Sequence, residues 1–298
     1  MEEARPLPES NPLEEALLLA LRSFRGITRN RAGLVGFIVL VALILLAFLG
    51  PLFTPANPDN LSAIYQTPSL RHPFGTDSSG RDVLLQIVDG GQPIFVVGGL
   101  AALLSTAIAI VLGSISAYVG GLVDQVILMA ADIVLTIPQL ALLAVLAAFV
   151  RLDNAFSLAL LIAVLSWPVL MISIRSQVLS LKEREFVEAA RMLDLGLARI
   201  LFLEILPNMA SFIAMNFVVG MTNAIYSQVA LYLLGLAPLA GDNWGIMINL
   251  AWTRGAVFFK GSLMYILAPV LAISVVQLAL VTFTRSLEDI FNPRLRGA

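Results

Sequence analysis

Six long apolar runs, almost free of charged side chains, limit what this chain can fold into. About 20 apolar residues cross the hydrocarbon of a bilayer, and a charge at mid-membrane costs a few kcal/mol. With 59% hydrophobic and 13% charged residues, the composition also points to lipid as the solvent. We therefore predict an all-α, polytopic membrane protein with six transmembrane helices, near residues 33–53, 93–119, 122–150, 155–178, 207–234 and 262–284.

These runs also divide the chain into units. We expect no N-terminal signal peptide, because about 30 largely polar residues precede the first run, and that run is too long for a signal sequence. The predicted units are an opening segment at 1–32, a first span at 33–53, a long loop at 54–92, a five-helix unit at 93–285 and a tail at 286–298.

Several kinds of chemistry are excluded by residue counts. The chain has no cysteine and one histidine, so disulfides and clustered metal ligands are not expected. Its two lysines, Lys182 and Lys260, do not follow a glycine, so the phosphate loop G-x-x-x-x-G-K-S/T is missing. His72 is interpreted as an ordinary loop histidine. We therefore expect no catalytic residue, no metal site and no bound cofactor on this chain.

The distribution of arginine and lysine predicts the orientation of the spans. Residues 1–32 carry five of these cations, 175–206 carry five and 285–298 carry three, which is 13 of 18. Basic residues concentrate on the cytoplasmic side of membrane proteins. Both termini and the segment at 175–206 are therefore predicted to be cytoplasmic, and the loop at 54–92 and the segment at 235–261 extracytoplasmic.

Two local patterns predict helix contacts. Asn11 to Gly26 has the cap, first-turn acids and late arginines of a helix, with one apolar face that either lies in the membrane interface or packs on a partner protein. In the second span, small residues recur every four positions, which favours close packing on another helix. These residues are Ser105, Ala109, Gly113, Ala117 and Gly121.

A charged hairpin at 180–206 interrupts the apolar runs. Ser180 and Glu183 form a capping-box pattern, so a helix is expected to begin just after Ser180. An apolar stripe follows at i, i+3, i+4 and i+7, formed by Phe186, Ala189, Ala190 and Leu193. Such a stripe either docks in a groove on another protein or folds back on its own chain.

The hairpin resembles a known signature. The order E-A-A, a small turn residue and then I-L-P is similar to the cytoplasmic motif of inner-membrane permease subunits of ABC importers. Longer stretches resemble the C-type (DppC/OppC-like) subunit of the dipeptide, oligopeptide and nickel branch of that family. The motif residues are Glu188, Ala189, Ala190, Ile205, Leu206 and Pro207, and the longer stretches are Arg29–Leu40, His72–Leu84, Ser176–Arg191 and Phe291–Arg296.

This resemblance implies a MetI-like, type I permease core in which the hairpin docks on an ATPase subunit. The implied docking residues are Phe186, Glu188, Ala189, Ala190, Leu193, Asp194 and Gly196. The family usually has glycine where this chain has Asp194. A left-handed conformation there costs a non-glycine residue about 1 to 2 kcal/mol, least for Asp and Asn. Either Asp194 adopts that conformation or Gly196 provides the turn.

The fifth span is the best candidate for a translocation pathway. It is free of charge, yet Asn216, Gly220, Asn223 and Ser227 lie at i, i+4, i+7 and i+11 and share one face. We expect this face to point toward a partner permease across a central cavity, with Met215, Val219 and Tyr226 nearby. Uncharged amides can hydrogen-bond a passing peptide without holding it tightly.

The favoured function is therefore the pore-forming subunit of an ATP-driven importer, with dipeptides or oligopeptides as cargo. The resemblance implies a second homologous permease subunit, two ATP-binding subunits that carry ATP and Mg, and an extracytoplasmic substrate-binding protein. No nucleic acid is expected. Import of nickel chelates or oligosaccharides is the alternative within the family. A stand-alone channel or secondary transporter is the alternative of another class, and for it only Asp132 supplies an intramembrane charge.

Overall fold

The computed structural model describes residues 31–238 and 241–291, and within these ranges the chain is helical without a β-strand. The helix expected between Asn11 and Gly26 and most of the tail at 286–298 lie outside the described residues. The eleven helices α1 to α11 run in this order: Arg31–Leu49, Val83–Asp89, Gly91–Val119, Gly121–Thr136, Gln139–Phe149, Ala155–Leu181, Glu185–Met192, Leu197–Asn208, Ala210–Leu233, Trp244–Thr253 and Leu263–Phe291.

Four helices, α1, α3, α6 and α11, are long and apolar enough to cross a membrane, and two bent pairs bring the possible spans to six. The all-α polytopic prediction is therefore confirmed. The pair α4–α5 bends by 91° and the pair α8–α9 by 75°. Helix α2 lies inside the segment that was expected to be a loop.

Prolines explain both bends. Residue Ile137 has extended backbone angles, φ −93° and ψ 131°, because a residue before proline is disfavoured in the helical region. Pro138 therefore divides the run at 122–150, which was expected to form one transmembrane helix, into two helices. In α8, a π-helical turn at Ile200–Ile205 comes before Pro207, which lacks the N–H that continues a helix.

The predicted small-residue seam packs α3 against α6. Ser105, Ala109 and Ala117 are buried. A Cβ on Gly113 would lie 2.7 Å from the carbonyl oxygen of Met171 on α6. Gly121 lies outside the contact, with open space around it. Helix α3 contributes to all three buried apolar clusters and is the central element of the fold.

Helix α1 is packed against α11 through two glycines. A side chain at Gly33 would collide with Ser286, and one at Gly36 would collide with Thr282. Both helices also share a buried apolar cluster that includes Leu40. The first span is therefore part of the packed helical unit.

The two longest connecting segments, 50–90 and 234–262, meet at the end of the molecule opposite α7. We call this end the loop side and the other the hairpin side. Arg81 Nε lies 3.1 Å from Asp77 Oδ2, and Arg81 Nη1 lies 3.1 Å from Asp242 Oδ1. Arg81 Nη2 also donates to Gln86 Oε1 at 3.1 Å. This set of four side chains, the Arg81 clamp, joins the two segments.

Burial governs the electrostatics of the clamp. Burial lowers the pKa of the Arg81 guanidinium, but the carboxylates of Asp77 and Asp242 outweigh it, so this pKa lies above its ordinary value. Burial also raises the pKa of Asp242, and the charge of Arg81 offsets part of that rise. The charged form of Arg81 and the charged form of Asp242 therefore stabilise each other.

Aromatic contacts complete the loop side. The rings of Tyr65 and Phe259 stack at 4.6 Å, and the Tyr65 hydroxyl donates to the carbonyl of Arg254 at 3.2 Å. Trp244 Nε1 donates to the carbonyl of Ile87 at 2.8 Å. The loop side is thus a folded cap over the spans.

His72 belongs to the same cap. Its Nδ1 lies 2.8 Å from Asp82 Oδ2, and the other Asp82 oxygen accepts from the backbone N–H groups of Leu84 and Leu85 at the start of α2. His72 therefore fixes a loop to a helix N-terminus, which is a structural role.

Candidate functional site

Helix α7 is a short helix on the hairpin side, between α6 and α8. It has two apolar faces. Val187 and Ala190 are 0% and 5% exposed and point into the protein. On the other side, Met192 and Leu193 are 87% and 73% exposed. We define the outer face as Phe186, Ala189, Met192 and Leu193, which are all exposed.

The outer face contains three of the seven docking residues inferred from the sequence, and all seven except Ala190 are exposed. Phe186, Glu188, Ala189 and Leu193 are exposed. Ala190 instead lies in the apolar cluster formed by α3, α6, α7 and α8. Its side chain is therefore covered by this chain, and the expected stripe is divided between two surfaces. Met192 belongs to the outer face although the sequence pattern did not include it.

The inner face of α7 connects it to the spans. Val187 and Ala190 pack in one cluster with Ile174 and Val178 of α6. In addition, the Arg191 guanidinium carbon lies 5.4 Å from the centre of the Tyr118 ring at the end of α3. Cations within about 6 Å of a ring are attracted to it. A displacement of α7 must therefore move the adjoining ends of α3 and α6.

The start of α7 differs from the prediction. Helix α6 continues to Leu181, and α7 begins at Glu185 with no side-chain cap from Arg184. The Ser180–Glu183 capping box was therefore wrong. Val178 is fully buried, and the Lys182 amine donates to the carbonyl of Ala117 at 3.0 Å. Because this end of α6 packs on α3, α6 continues to Leu181, past Ser180, where a new helix was expected to begin.

The end of α7 is a Schellman motif with aspartate at its left-handed position. The N–H of Leu195 donates to the Ala190 carbonyl at 3.2 Å, and the N–H of Asp194 donates to the Arg191 carbonyl at 2.9 Å. This is the pair of bonds that defines the motif. Asp194 has φ 53°, whereas Gly196 has φ −61°. Of the two alternatives, Asp194 itself therefore makes the turn.

The same motif ends α9, where Gly235 has φ 70°. This gives a matched pair of substitutions. We expect Asp194→Gly to stabilise the chain and Gly235→Asp to destabilise it, each by up to about 1 kcal/mol, because left-handed backbone favours glycine. Thermal unfolding of the purified subunit measures both changes. Destabilisation by Asp194→Gly would show that the Asp194 carboxylate makes a compensating contact.

A half-buried ion pair braces the hairpin side near α7. Arg175 Nε donates to Asp124 Oδ1 at 2.6 Å, and Arg175 Nη2 donates to Asp124 Oδ2 at 2.6 Å. Such two-point pairs fix orientation as well as distance. The beginning of α4 is therefore held to the end of α6.

The four pathway candidates on α9 are placed differently from one another. Asn216 Nδ2 donates to the Phe212 carbonyl at 2.9 Å, within its own helix. Gly220 faces α3, since a Cβ there would lie 3.8 Å from Ala102. Asn223 is exposed and Ser227 is half-buried. Neither has a hydrogen-bond partner within the ranges described.

The expected apolar neighbours follow a similar division. Val219 and Tyr226 are exposed beside Asn223, whereas Met215 packs against a buried cluster. The face that this chain leaves open on α9 is therefore Val219, Asn223 and Tyr226. The predicted face of α9 thus includes one residue, Gly220, that faces α3, and the role of this face as a pathway stays a prediction.

Two buried amides were missed in the sequence. Gln228 donates to the Pro93 carbonyl and Gln277 donates to the Thr222 carbonyl, both at 3.3 Å. Each links two spans. A single glutamine in an apolar run gives no signal that separates such a link from a pathway residue.

Helices long and apolar enough to cross a membrane, together with a short helix that has an exposed apolar face, define an integral membrane protein. Its chain matches the model of the binding-protein-dependent transport system inner membrane component at residues 109–297. Residues 19–71 match the N-terminal TM domain of oligopeptide transport permease C. The chain therefore belongs to the binding-protein-dependent inner membrane permease family.

Named relatives agree with this assignment. A putative peptide permease protein of Brucella suis is 35% identical over 276 residues, covering 92% of this chain and 90% of that protein. The dipeptide transport system permease protein DppC of Alkalihalophilus pseudofirmus is 32% identical over 308 residues, covering 99% of each. The oligopeptide transport system permease protein OppC of Bacillus subtilis is 33% identical over 225 residues, covering 74% and 73%.

The resemblance stated from the sequence is thus confirmed. The chain is a multi-pass inner-membrane permease subunit of an ABC transporter, and such subunits are non-catalytic parts of an ATP-driven complex.

Proposed function

We propose that this chain forms one half of the pore of an ATP-driven importer that moves dipeptides or oligopeptides into the cytoplasm. The observation that carries the proposal is the outer face of α7. Four apolar side chains, two of them more than 70% exposed, lie on a helix outside the bilayer. Water disfavours such a surface, and its width suits a groove on another protein.

The outer face is where partner ATPase subunits dock in this proposal, and these subunits bind ATP and Mg. The inner face of α7 is packed on α6 and contacts α3 through Arg191 and Tyr118. Closure of the ATPases would therefore pull directly on two spans. A stand-alone channel or secondary transporter has no need of such a docking face, which favours the importer.

The remaining partners follow from the exposed surfaces. Helices α4 and α5 leave most of their apolar side chains exposed, and α9 leaves Val219, Asn223 and Tyr226 open. A second homologous permease would cover part of this surface and enclose the pathway, and lipid would cover the rest. The cap on the loop side would receive the extracytoplasmic binding protein.

Peptide is the proposed cargo because the three relatives described above are named as peptide, dipeptide or oligopeptide permeases. The open face of α9 fits this cargo, since Asn223 and Ser227 offer neutral hydrogen-bonding groups. Nickel chelates and oligosaccharides remain the alternatives within the family.

The test of the cargo is reconstitution of the whole transporter with its binding protein in liposomes. We expect ATP-dependent accumulation of labelled di- to pentapeptides. Accumulation of a nickel chelate or an oligosaccharide without peptide uptake would contradict the cargo but leave the importer intact.

Both termini and α7 are proposed to be cytoplasmic, with a division into a cytoplasmic segment at 1–32, a first span at 33–53, a loop at 54–92, a core at 93–285 that contains the hairpin at 180–206, and a tail at 286–298. The arginine and lysine distribution supports this orientation. The loop side then faces the exterior.

Cysteine labelling tests orientation and pathway together, because the chain has no native cysteine. We expect Met192→Cys to react only with reagent on the cytoplasmic side and Asp59→Cys only from the exterior, since both side chains are exposed. Asn223→Cys should react with a water-soluble reagent at a rate that changes when ATP is added. Labelling of Asp59→Cys from the cytoplasm alone would reverse the topology, and an inert Asn223→Cys would contradict the pathway.

A further inference from the structure

An exposed carboxylate, Asp132, lies within the bent pair α4–α5 that can form one span. Asp132 follows the start of α4 at Gly121 by 11 positions, which is about 16 Å at 1.5 Å per residue. The hydrocarbon of a bilayer is about 30 Å thick. Asp132 is exposed, and it has no ion-pair partner in the part of the chain that the structure describes. A charge in this position needs water or a cation.

Asp132 belongs to a polar face of α4. Gln125, Asp132 and Thr136 lie at i, i+7 and i+11, which places them on one side of the helix, and all three are exposed. Lipid does not stabilise such a face. The face is therefore suited to a water-filled cavity shared with the second permease subunit.

The break in the span leaves further acceptors two to four residues after Asp132. The Val134 carbonyl would receive the N–H of residue 138 in a continuous helix, but that residue is proline and has none. The carbonyls of Leu135 and Thr136 also have no backbone donor within the described ranges. The end of a helix carries partial negative charge, which adds to that of the carboxylate.

The side chains around the break leave these acceptors available. Thr136 Oγ1 donates to the Asp132 carbonyl at 2.7 Å, and Gln139 Nε2 donates to Ser166 Oγ at 3.0 Å. The Thr136 hydroxyl donor and one of the two Gln139 amide N–H donors are thereby occupied by other acceptors. The site presents one carboxylate and several carbonyl oxygens, a set that favours an ammonium group with its three N–H donors.

We propose that Asp132 and the free carbonyls at the end of α4 bind the α-ammonium group of a peptide during its passage. This assignment rests on the proposed import of peptides. It gives the pathway one charged position in addition to the neutral amide of Asn223, so a peptide is oriented by its N-terminus without being held along its length.

The first experiment compares uptake of one labelled peptide in two forms, with a free and with an acetylated N-terminus, by the reconstituted transporter. Asp132→Asn keeps the shape and removes the charge. We expect uptake of the free-amine peptide below saturation to fall at least tenfold, with uptake of the acetylated form changed less than twofold. Asp132→Glu should retain the preference. Asp153→Asn, an exposed carboxylate between α5 and α6, is the matched control and should have no effect.

Cysteine modification provides a second measurement that does not depend on transport rate. A water-soluble methanethiosulfonate that carries an ammonium group should modify the Asp132→Cys subunit, and excess peptide with a free N-terminus should slow this modification. The same peptide should not protect the Asp153→Cys subunit.

Three outcomes would overturn the site. The first is an equal loss of uptake of both peptide forms by Asp132→Asn, and the second is no modification of Asp132→Cys. The third is failure of Asp132→Asn to assemble with the second permease, which would indicate an ion pair between subunits. Absence of peptide uptake by the wild-type transporter would instead refute the proposed function, and this site with it.

Discussion

Ala189→Trp is expected to reduce transport about fivefold or more while leaving the fold of this subunit unchanged. Ala189 is exposed between Phe186 and Leu193 at the centre of the outer face. A bulky residue at a small-residue contact costs about 1 to 3 kcal/mol, and each 1.4 kcal/mol is about tenfold in affinity. Co-purification of the ATPase subunits and peptide uptake measure the loss.

The neighbouring alanine provides the matched control. Ala190 is 5% exposed and packs inside this chain. Ala190→Trp should therefore lower the thermal stability of the isolated subunit, by about 1 to 3 kcal/mol, whereas Ala189→Trp should not. Normal ATPase binding by Ala189→Trp at wild-type abundance would contradict the docking face. This contrast also separates loss of docking from loss of folding.

Arg81→Met is expected to destabilise the subunit by about 3 kcal/mol, because removing one partner of a buried ion pair leaves an uncompensated charge. The charge left behind is Asp77, which is 1% exposed and keeps only Gln86 as a side-chain donor. Burial already raises the pKa of Asp242, so loss of the cation should raise it further. Thermal unfolding in detergent and protease cleavage of the 54–82 region measure the effect.

Arg71→Met is the control for Arg81→Met. Arg71 is an exposed arginine in the same connecting segment, and it has no ion pair within the described ranges. Surface substitutions of this kind usually change stability by less than about 0.5 kcal/mol. An equally large effect of both substitutions would show that net charge, and not the clamp, stabilises the loop side.

The spans were predictable because lipid imposes a simple requirement on sequence. A run of about 20 apolar residues has few alternatives to a crossing helix. The bend at Pro138 was less predictable, since proline is tolerated in membrane helices and its effect depends on what packs beside it. The small-residue seam succeeded because close helix contact needs small side chains wherever the partner helix lies.

Helix α7 was predictable in position, but the side of it that this chain covers was not. Apolar residues at 186, 187, 189, 190, 192 and 193 cover more than half of the helix circumference. Sequence spacing alone does not show which edge this chain covers. The location of Val178 and Ile174 decides it, and that contact depends on tertiary packing. The Ser180 capping box failed for the same reason, because α6 continues through it.

The loop side was the least predictable part. Arg81 and Asp242 are far apart in sequence, and nothing in either segment indicates the other. Asp194 is the opposite case. Its left-handed conformation was one of two stated alternatives, since a helix that ends in this way needs a residue that tolerates positive φ.

The interlocked glycines of α1 and α11 have a consequence for how the subunit is made. Gly33 and Gly36 enter the bilayer early in synthesis, but Ser286 and Thr282, on which they pack, are translated near the end. Until the final span is inserted, the face of α1 that packs on α11 is therefore without its partner helix in the membrane. A ribosome that stalls before α11 would leave this face accessible to membrane proteases, so completion of translation is itself the step that protects the nascent subunit.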